Sequence, residues 1–566
     1  MNDVARKLLE RHFDTAFSAP DGIAKLRELI LALAMQGKLV EQDPNDQPAS
    51  ELLKKIGAER QQLVKSGKIK APKQLPPIKP EEVPYELPQG WQWVRLGALA
   101  VYKLGKTPAS KDPIYWTENG GVPWASIADM PTRGYLQKTS KRVSKTAISN
   151  VLKHDPVPAG SLLMSFKLSI GKTAITNIDT YHNEAIISFF RLDGRLKMYL
   201  FWILYEIANS GNTKGAIKGR TLNSESIRKL LIPLPPSQEQ ARIVSTVDQL
   251  MARCDELEKL RKARDEQRLA VHAAAIKKLL ETQNGSAWNF IQQHFSELYS
   301  VKENVAELRK AILQLAVMGR LVHQDPNDPP ASQLLKEIEA EKQRLVKAGK
   351  IKNPKPLPTI KLEEVPYEVP KGWEWVRLND ALDVRDGTHD TPKYVDVGFP
   401  LVTSKNIYTG KLSLEDVKYI SEEDHKKIAE RSKVDKGDIL FAMIGSIGNP
   451  LIVDSDIEFS IKNVALFKFF MNGKPNNRYL HYYLVHAQEN MKATSSGAVQ
   501  SFVSLGFLRN YLFPLPPSAE QGRIVACINQ LMTLCDTLDQ QIEATKDSKS
   551  ALLRALLTQD GERSCA

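Results

Sequence analysis

The sequence predicts an α+β protein in which one architecture occurs twice: two similar α/β domains separated by long helices, with an internal repeat and approximate two-fold symmetry. Two pairs of segments predict it. Residues 26–96 and 308–378 align without a gap, and 50 of these 71 positions are identical. Residues 232–244 and 513–525 share the pattern PLPPSxEQxRIV. Because the period is about 280 residues, each repeat has the size of a domain and not of a solenoid unit.

The repeat divides the chain into five segments. Residues 1–90 form an N-terminal conserved helical region that ends in a proline-rich strap, and residues 236–372 contain a long helix followed by a second copy of that region. Residues 91–235 and 373–516 are two variable domains of similar length and little common sequence. Residues 517–566 form a C-terminal helix. One scaffold is therefore repeated around two diverged domains.

The helical region begins with two predicted helices. Apolar residues at helical spacing indicate a helix over 22–40, and a second helix over 48–66 is expected to begin at Ser50. Six prolines in residues 71–91 exclude a helix there and favour an extended strap. The strap leads into WQWVRL in the first copy and WEWVRL in the second, whose alternating pattern predicts the first strand of each variable domain.

Within the variable domains the pattern is one of short strands broken by Gly, Pro and Asn, with some helix. Weak similarity relates VPWASIADM (122–130) to FPLVTSKNI (399–407), and PAGSLLMSFKLSIGK (158–172) to DKGDILFAMIGSIGN (435–449). The two domains are therefore predicted to share one α+β fold whose exposed loops have diverged. Loops on a fixed scaffold are the usual place for recognition residues.

A long helix is predicted after each PLPP segment, with apolar residues spaced alternately by four and three, as in a heptad seam. The seam residues are Ile243, Val247, Leu250, Cys254 and Leu257 in the central helix, and Ile524, Ile528, Leu531, Cys535, Leu538 and Ile542 in the terminal helix. We expect the two stripes to pack against each other, with Cys254 and Cys535 as packing residues and not nucleophiles. Alternatively, each stripe is an ordinary amphipathic face on its own domain.

Composition excludes several classes of protein. The chain has no run of 18 apolar residues, so no membrane span is expected. Its four cysteines form no CxxC pair and no histidine cluster accompanies them, so no metal site is expected. The low cysteine content and the N-terminus without an apolar signal segment predict a cytoplasmic protein.

The net charge of +12 is concentrated in the first variable domain. Residues 91–232 contain 20 Lys and Arg against 9 Asp and Glu, whereas residues 373–513 contain 17 against 18. A basic domain predicts a polyanionic partner, most often nucleic acid, although a solvated basic surface gives the same composition. The second domain is predicted to bind DNA only through its similarity to the first.

Motifs for catalysis are incomplete or absent. SIGKT (169–173) lacks the upstream glycine of a phosphate-binding loop, and NDPPA (327–331) lacks the aromatic residue that adenine methyltransferases stack on a flipped base. The chain contains no GxGxxG after a strand, no GxSxG and no HExxH. The sequence therefore predicts no catalytic residue and no cofactor bound by this chain.

The repeated QDPND-PAS-LL helix pair, the strap ending in GWxW, a variable domain of about 140 residues and IPLPP-x-x-EQ before a long helix resemble the specificity (S) subunit of type I restriction-modification enzymes. The resemblance covers nearly the whole chain. It implies two target recognition domains held apart by antiparallel conserved helices, a coiled-coil spacer. Each domain would read one half of a split, asymmetric double-stranded DNA target.

The resemblance also implies that catalysis lies in partner subunits. Methyltransferase (M) subunits would transfer a methyl group from S-adenosylmethionine to adenine N6, and motor-nuclease (R) subunits, bound through the methyltransferase, would use ATP and Mg to cleave unmodified DNA. Because the scaffold is duplicated, we expect one chain to bind two M subunits. The alternatives are a partner-independent DNA-binding regulator and a coiled-coil adaptor; a self-contained methyltransferase or nuclease lacks its motifs.

Candidate DNA contacts are side chains that can donate to base edges or to phosphates. In the first domain they are Lys106, Thr107, Lys111, Ser126, Lys138, Lys141, Arg142, Lys167, Ser169, Lys172, Asn183, Lys214, Lys218 and Arg220. In the second they are Arg385, Thr388, His389, Lys393, Tyr394, Thr403, Ser404, Lys405, Asn406, Ser446, Lys462, Asn463, Ser495, Ser496 and Gln500. For any single lysine, a solvated surface charge is the alternative.

Three pairs of candidates are predicted to occupy equivalent positions in the two domains. The pairs are Asn183 with Asn463, Ser126 with Thr403, and Ser169 with Ser446. Two tryptophans of the first domain, Trp116 and Trp124, are expected to pack and not to contact DNA.

Overall fold

The computed structural model describes residues 19–71, 74–209, 222–282, 285–353, 356–495 and 502–563, together with residues 3 and 7. The chain forms two compact units, one comprising Met1–Arg264 and Thr545–Ala566 and the other comprising Asp265–Ala544. Each unit contains one variable domain, the start of one long helix and the end of the other. Within the described ranges, no helix is both long and apolar enough to cross a membrane.

The first unit contains seven described helices, the last of which continues into the second unit. The helices are α1 (Gly22–Met35), α2 (Ala49–Lys65), α3 (Leu96–Leu99), α4 (Lys145–Ala147), α5 (Gly194–Asn209), α6 (Ser224–Lys229) and α7 (Ser237–Glu281). The strands are β1 (Gln92–Arg95), β2 (Val101–Leu104), β3 (Trp116–Thr117), β4 (Val122–Ala125), β5 (Arg133–Leu136), β6 (Lys141–Val143), β7 (Leu162–Ser165), β8 (Thr173–Thr176), β9 (Tyr181–His182), β10 (Ile186–Phe190) and β11 (Leu231–Leu234).

The second unit repeats this order. The helices are α8 (Ser286–Gln293), α9 (Phe295–Leu298), α10 (Lys302–Val317), α11 (Ala331–Lys347), α12 (Leu378–Ala381), α13 (Glu422–Ser432), α14 (Asn477–Ser495), α15 (Leu505–Asn510) and α16 (Ser518–Arg563). The strands are β12 (Glu374–Arg377), β13 (Asp383–Asp386), β14 (Tyr394–Val395), β15 (Phe399–Val402), β16 (Lys418–Ile420), β17 (Ile439–Ala442), β18 (Gly448–Ile452), β19 (Ser460–Ile461), β20 (Val464–Lys468) and β21 (Leu512–Leu515).

The two variable domains have the same sheet topology, which confirms the prediction of one shared α+β fold. The larger sheet has the order β2-β10-β7-β8-β5 in the first domain and β13-β20-β17-β18 in the second. The smaller sheet has the order β3-β6-β4-β9 in the first and β14-β16-β15-β19 in the second. The first domain differs by one additional edge strand, β5, which pairs parallel with β8.

A two-stranded antiparallel ribbon closes the base of each variable domain. Gln92 of β1 pairs with Leu234 of β11, and Glu374 of β12 pairs with Leu515 of β21. The predicted first strand of each domain is thus confirmed, but it pairs with the strand that leaves the domain and not with the main sheets. Each domain begins and ends at one place on its scaffold.

The strap is held by a buried arginine. The guanidinium of Arg95 donates to the carbonyl oxygens of Pro76 (2.9 Å) and Pro77 (3.1 Å) and to the carboxylate of Glu82 (2.9 Å). Prolines keep this segment extended, apart from one 3-10 turn over Pro80–Glu82, and so leave their carbonyl groups available as acceptors. Arg377 makes the corresponding contacts in the second unit.

The helix pair that precedes the strap differs from the prediction at two ends. Gly37 adopts φ +69°, so α1 ends at Met35 and does not extend to residue 40. The second helix begins at Ala49, one residue before the predicted start, because the Ala49 amide donates to the carbonyl oxygen of Gly90 in the strap (2.8 Å). Ser50 therefore lies inside the first turn and does not cap the helix.

The apolar stripes of the two long helices belong to different cores. Ile243, Val247 and Cys254 are buried in the core of the first unit, whereas Ile528 and Cys535 are buried in that of the second. The expectation that the stripes pack against each other is therefore wrong, and the alternative, an amphipathic face on its own unit, is confirmed. The remaining seam residues pack against the same two cores: Leu250 and Leu257 in the first, and Ile524, Leu531, Leu538 and Ile542 in the second.

Candidate nucleic-acid interface

In both variable domains, the loops after three strands meet at one end of the sheets. In the first domain the amide of Lys106, after β2, donates to the carbonyl oxygen of His182 at the end of β9 (3.0 Å). The amide of Asn183, after β9, donates to the carbonyl oxygen of Ala125 at the end of β4 (3.0 Å). We call these loops, with the side chains that lie against them, the loop edge: residues 105–107, 126, 167 and 183–184 in the first domain and 386–391, 403, 431 and 462–463 in the second.

The loop edge of the second domain is closed by equivalent bonds. The amide of Thr388 donates to the carbonyl oxygen of Ile461 (3.0 Å), and the amide of Lys462 donates to that of Val402 (2.9 Å). The chain reaches each junction through a glycine. A Cβ atom on Gly105 would lie 2.0 Å from the carbonyl oxygen of His182, and one on Gly387 would lie 2.1 Å from that of Ile461.

The first loop edge combines exposed cations with one carboxylate. Lys106 is exposed, and the ammonium group of Lys167 lies 5.6 Å from the ring centroid of Phe166. The hydroxyl of Thr107 donates to the carboxylate of Glu184 and holds the pKa of that carboxyl below its usual range, and the charge of Lys167 acts in the same direction. The edge therefore presents lysine donors beside an ionised acceptor, and Glu184 was not among the predicted contacts.

Three candidates of the first domain use their polar groups within the protein. The guanidinium of Arg142 donates twice to the carbonyl oxygen of Gly121, at 2.9 and 2.6 Å. The ammonium group of Lys172 donates to the carbonyl oxygen of Met130 (3.1 Å). Ser126 bonds to the carboxylate of Asp129 (2.7 Å) and caps a 3-10 turn. These side chains therefore shape the domain, and their contacts to DNA stay a prediction.

The remaining described candidates of the first domain lie on its surface. Lys141 places its ammonium group 5.0 Å from the ring centroid of Trp116, which packs edge-to-face on Trp124. The packing role expected for the two tryptophans is therefore confirmed. Lys111, Lys138 and Ser169 are exposed. Lys214, Lys218, Arg220, Ser496 and Gln500 lie outside the described residues, as does the side chain of Ser495 at the end of α14.

The second loop edge has a different chemistry. Asp386, the last residue of β13, is buried, and its carboxylate accepts from Nε2 of His389 at 2.9 Å and from Nη2 of Arg431. Nδ1 of His389 lies 3.0 Å from the side-chain oxygen of Asn463. Lys462 donates to the hydroxyl of Thr391. His389, Lys462 and Asn463 were among the predicted contacts, whereas Asp386, Thr391 and Arg431 were not.

Other candidates of the second domain have structural roles. Arg385 pairs with Asp383 (2.6 Å) and donates to the backbone carbonyl of Arg431 (3.1 Å). Asn406 is buried and accepts from the amide of Thr403 at 2.9 Å, so these two residues cap a turn. Exposed candidates are Lys393, Tyr394 and Lys405, and half-buried ones are Thr388, Ser404 and Ser446.

The strand registers test the three predicted pairs of positions. Ser126 and Thr403 each follow the strand that pairs with β9 or β19 and cap equivalent turns, so that pair is confirmed. Ser169 and Ser446 lie in equivalent loops after β7 and β17. The pairing of Asn183 with Asn463 is wrong, because Ala125 pairs with His182 as Val402 pairs with Ile461. The counterpart of Asn183 is therefore Lys462, and the following loops differ by one residue.

Within the described ranges, no group of three or more His, Cys, Asp or Glu side chains is arranged to hold a metal ion. The fold and the loop edges define a class of protein: two copies of one domain, on a duplicated scaffold, with different polar side chains at the same place. The family model described as the type I restriction modification DNA specificity domain matches residues 88–266 and 370–545. The chain belongs to this family.

Relatives support the same assignment along nearly the whole chain. The EcoAI specificity subunit of a type I restriction enzyme from Escherichia coli is 34% identical over 571 aligned positions, covering 94% of this chain and 93% of the relative. The EcoEI specificity subunit from the same species is 32% identical, covering 94% and 93%. A crystal structure of the HsdS subunit from Thermoanaerobacter tengcongensis is 18% identical, with a TM-score of 0.40, covering 84% of this chain and 98% of that one.

Proposed function

We propose that this chain sets the DNA sequence at which a type I restriction-modification complex acts, and that each variable domain reads one half of a split, asymmetric target. The observation that supports this proposal is that the same sheet topology presents two different loop edges. Lys106, Thr107 and Glu184 form one pattern of donors and acceptors, and His389 and Arg431 belong to another. Base edges in the major groove are distinguished by such patterns, so two edges specify two sequences.

The two domains hold DNA by different means under this proposal. The first carries exposed lysines at and beside its loop edge, which suit phosphate oxygens and supply salt-dependent affinity. Glu184 is an acceptor for the amino group of cytosine. The second domain has no excess of positive charge, so its contribution depends more on directional hydrogen bonds.

Partner subunits supply the chemistry in this proposal. The scaffold contacts occur twice, with Trp91 donating to Glu239 (2.9 Å) and Trp373 donating to Glu520 (3.0 Å), so the chain offers two like surfaces. One chain binds two methyltransferase subunits, and motor-nuclease subunits join through them. S-adenosylmethionine, ATP and Mg are bound by those partners, the chain itself is not catalytic, and the complex works in the cytoplasm.

The test of modular reading is a domain exchange. Replacing residues 97–231 with the corresponding segment of a relative keeps β1 and all of β11 except its first residue, Leu231. Methylation profiling of the host genome is expected to show one half of the target changed and the other half unchanged. A change in both halves contradicts the proposal, and exchanging residues 379–512 is the matched control for the other half.

The test of the division of labour uses purified subunits. Native mass spectrometry of the chain with saturating methyltransferase is expected to show two methyltransferase copies per chain. The chain alone is expected to transfer no radiolabelled methyl group from S-adenosylmethionine to target DNA. A single copy at saturation contradicts the two-surface proposal, and methyl transfer by the chain alone contradicts its non-catalytic role. Sequence-specific DNA binding by the isolated chain, with no methyltransferase bound at any concentration, favours a partner-independent regulator.

A further inference from the structure

The second loop edge contains a buried carboxylate with two partners. The side chain of Asp386 is only 4% exposed. One of its oxygens accepts from Arg431, and the other accepts from Nε2 of His389 at 2.9 Å. A carboxylate removed from water requires such partners, because burial without them is strongly unfavourable. Arg431 and His389 are therefore fixed by a group that solvent barely reaches.

The histidine that shares this carboxylate is itself held from its other side. Nδ1 of His389 lies 3.0 Å from the side-chain oxygen of Asn463, whose backbone adopts φ +55°. The amide of Asn463 donates to the carbonyl oxygen of Thr388, so the loop and the strand end are tied together. Both ring nitrogens have partners in the protein. The ring therefore supports Asp386 and does not itself offer a nitrogen to a ligand.

Arg431 is anchored at its backbone as well as at its side chain. It is the penultimate residue of α13, and its carbonyl oxygen accepts from Arg385, which is in turn paired with Asp383. The side chain of Arg431 is nevertheless 57% exposed. A guanidinium has five N–H donors, and the bond to Asp386 uses Nη2. The guanidinium of Arg431 is thus held in a fixed position at the loop edge, and part of this planar donor group faces solvent.

The first domain has no such arrangement among its described residues. Leu104 pairs with Ile187 in the position where Asp386 pairs with Ala465. The side chain of Leu104 cannot hold an arginine, and it is exposed. The buried carboxylate therefore belongs to the variable domain that has no excess of positive charge.

We propose that Arg431 reads a base edge in the DNA half-site bound by the second domain, and that Asp386, supported by His389, is its positioning residue. This inference rests on the proposed function. Asp386 balances the charge of Arg431 but leaves it N–H donors, which favours a directional contact over attraction to phosphate. The acceptors that fit a planar guanidinium are O6 and N7 of guanine in the major groove. A rigid donor loses little conformational entropy on binding, which strengthens such a contact.

The experiment measures DNA binding by the complex of the full chain with its methyltransferase partners. Methylation profiling first gives the target, and duplexes are then made with each base pair of the second half-site substituted in turn. Arg431→Ala is expected to weaken binding to the intact target by about tenfold and to abolish discrimination at one guanine-containing position. Arg431→Lys, which keeps the charge without the planar fork, is expected to lose the same discrimination.

Two further variants separate positioning from general damage. Asp386→Asn keeps the size of the side chain and is expected to weaken discrimination at the same single position as Arg431→Ala. Lys436→Ala is the matched control: its side chain is 59% exposed and paired with Asp454, but it lies near the opposite end of the same sheet. It removes one cation of equal exposure and is expected to leave binding unchanged. Circular dichroism establishes that each variant is folded.

Each of the following results would show that one part of the proposal is wrong. If Arg431→Ala weakens all sequences equally and makes the salt dependence shallower, the contact is to phosphate and base reading is wrong. If Arg431→Lys discriminates like the unmodified chain, charge alone suffices and the planar contact is wrong. If Asp386→Asn changes nothing, the positioning role is wrong. If the unmodified complex does not discriminate at the second half-site, the proposed function fails instead.

Discussion

The two variable domains share a fold and differ at the place where their loops meet. In the first, Leu104 ends the edge strand, and the exposed Lys106 and the half-buried Lys167 lie near the Thr107–Glu184 bond. In the second, Asp386 ends the equivalent strand and holds Arg431 and His389. The glycines that follow, Gly105 and Gly387, make the same close approach to the neighbouring backbone. The two domains therefore share the backbone junction but carry different side chains on it.

The scaffolds of the two units show the opposite behaviour, since most of their side-chain contacts occur in both. Arg27 pairs with Asp255 and Glu258 in the first unit, and Arg309 pairs with Asp536 and Asp539 in the second. A duplicated scaffold holds each variable domain in the same local frame. If the two units are equivalent, matching substitutions in them should have matching effects.

The largest effect is expected for the strap arginines. Arg95→Met removes a buried donor and leaves the carbonyl oxygens of Pro76 and Pro77 and the partly exposed carboxylate of Glu82 without it, so the free energy of unfolding should fall by about 2–3 kcal/mol. Arg377→Met should cause the same loss in the second unit, measured by denaturant unfolding. Arg344→Met, which removes an exposed ion pair with Glu341, should leave stability nearly unchanged. Unequal losses for the two strap variants contradict equivalence of the scaffolds.

The next effect is the pH dependence that His182 adds in the first domain. Burial lowers the pKa of His182 to about 4, from an ordinary value of about 6.5, whereas its counterpart in the second domain is Ile461. The unfolded chain therefore binds a proton more readily than the folded chain between these values. The contribution of His182 is complete above pH about 6.5 and is lost as the pH falls toward 4, by up to about 3 kcal/mol.

The measurement compares His182→Ile with the unmodified chain across this pH window. The variant carries the residue found at the equivalent position of the second domain and should lose less stability on acidification. Above pH about 7, the free energies of unfolding of the two proteins should differ by a constant amount. Other buried histidines, such as His481, titrate in both proteins and cancel in the difference. Identical pH profiles for the two proteins contradict a contribution from His182.

A smaller effect is expected at the glycine junctions. Gly105→Ala and Gly387→Ala each bring a Cβ within about 2 Å of a backbone carbonyl oxygen, so the strand ends must separate, at about 1–3 kcal/mol in either domain. Gly194→Ala is the control, since an added Cβ there meets no atom within 4 Å. Thermal unfolding gives the stability, and a fall for the control equal to that of the junction variants contradicts the close-approach argument.

The smallest effect concerns the salt dependence of DNA binding. Lys106→Ala and Lys167→Ala in the first domain should each lower affinity modestly and reduce the slope of log affinity against log salt by about 0.9, if each lysine neutralises one phosphate. Lys462→Ala should reduce the slope less, because the second domain has no excess of positive charge and is proposed to depend more on directional hydrogen bonds than on phosphate contacts. Titrations of the subunit complex at several salt concentrations give the slopes. An equal reduction for Lys462 contradicts the different binding modes proposed for the two domains.

Sequence reasoning located many of the side chains at the loop edges but not their relations. Lys106, Thr107, Lys167, Thr388, His389 and Lys462 were all found from donor chemistry in loops. Arg431 was missed because it lies in the strongly charged segment EEDHKKIAERS, where one arginine has no distinguishing pattern. The available signal was Asp386, a carboxylate two residues after Val384 and so on the buried face of its strand. Its partner could be named only from the fold.

The repeat, the proline-rich straps, the long helices and the shared α+β domains could all be predicted from the sequence, because they depend on local chemistry and on periodicity. Tertiary structure alone decided what the apolar stripes contact, since heptad spacing defines an apolar face without naming the surface that buries it. It also decided that Asn183 corresponds to Lys462, because strand pairing and not residue identity sets the register across a one-residue difference in loop length. The same holds for Arg142, Lys172 and Arg385, because their hydrogen bonds to backbone oxygens or to a neighbouring carboxylate exist only in the folded chain.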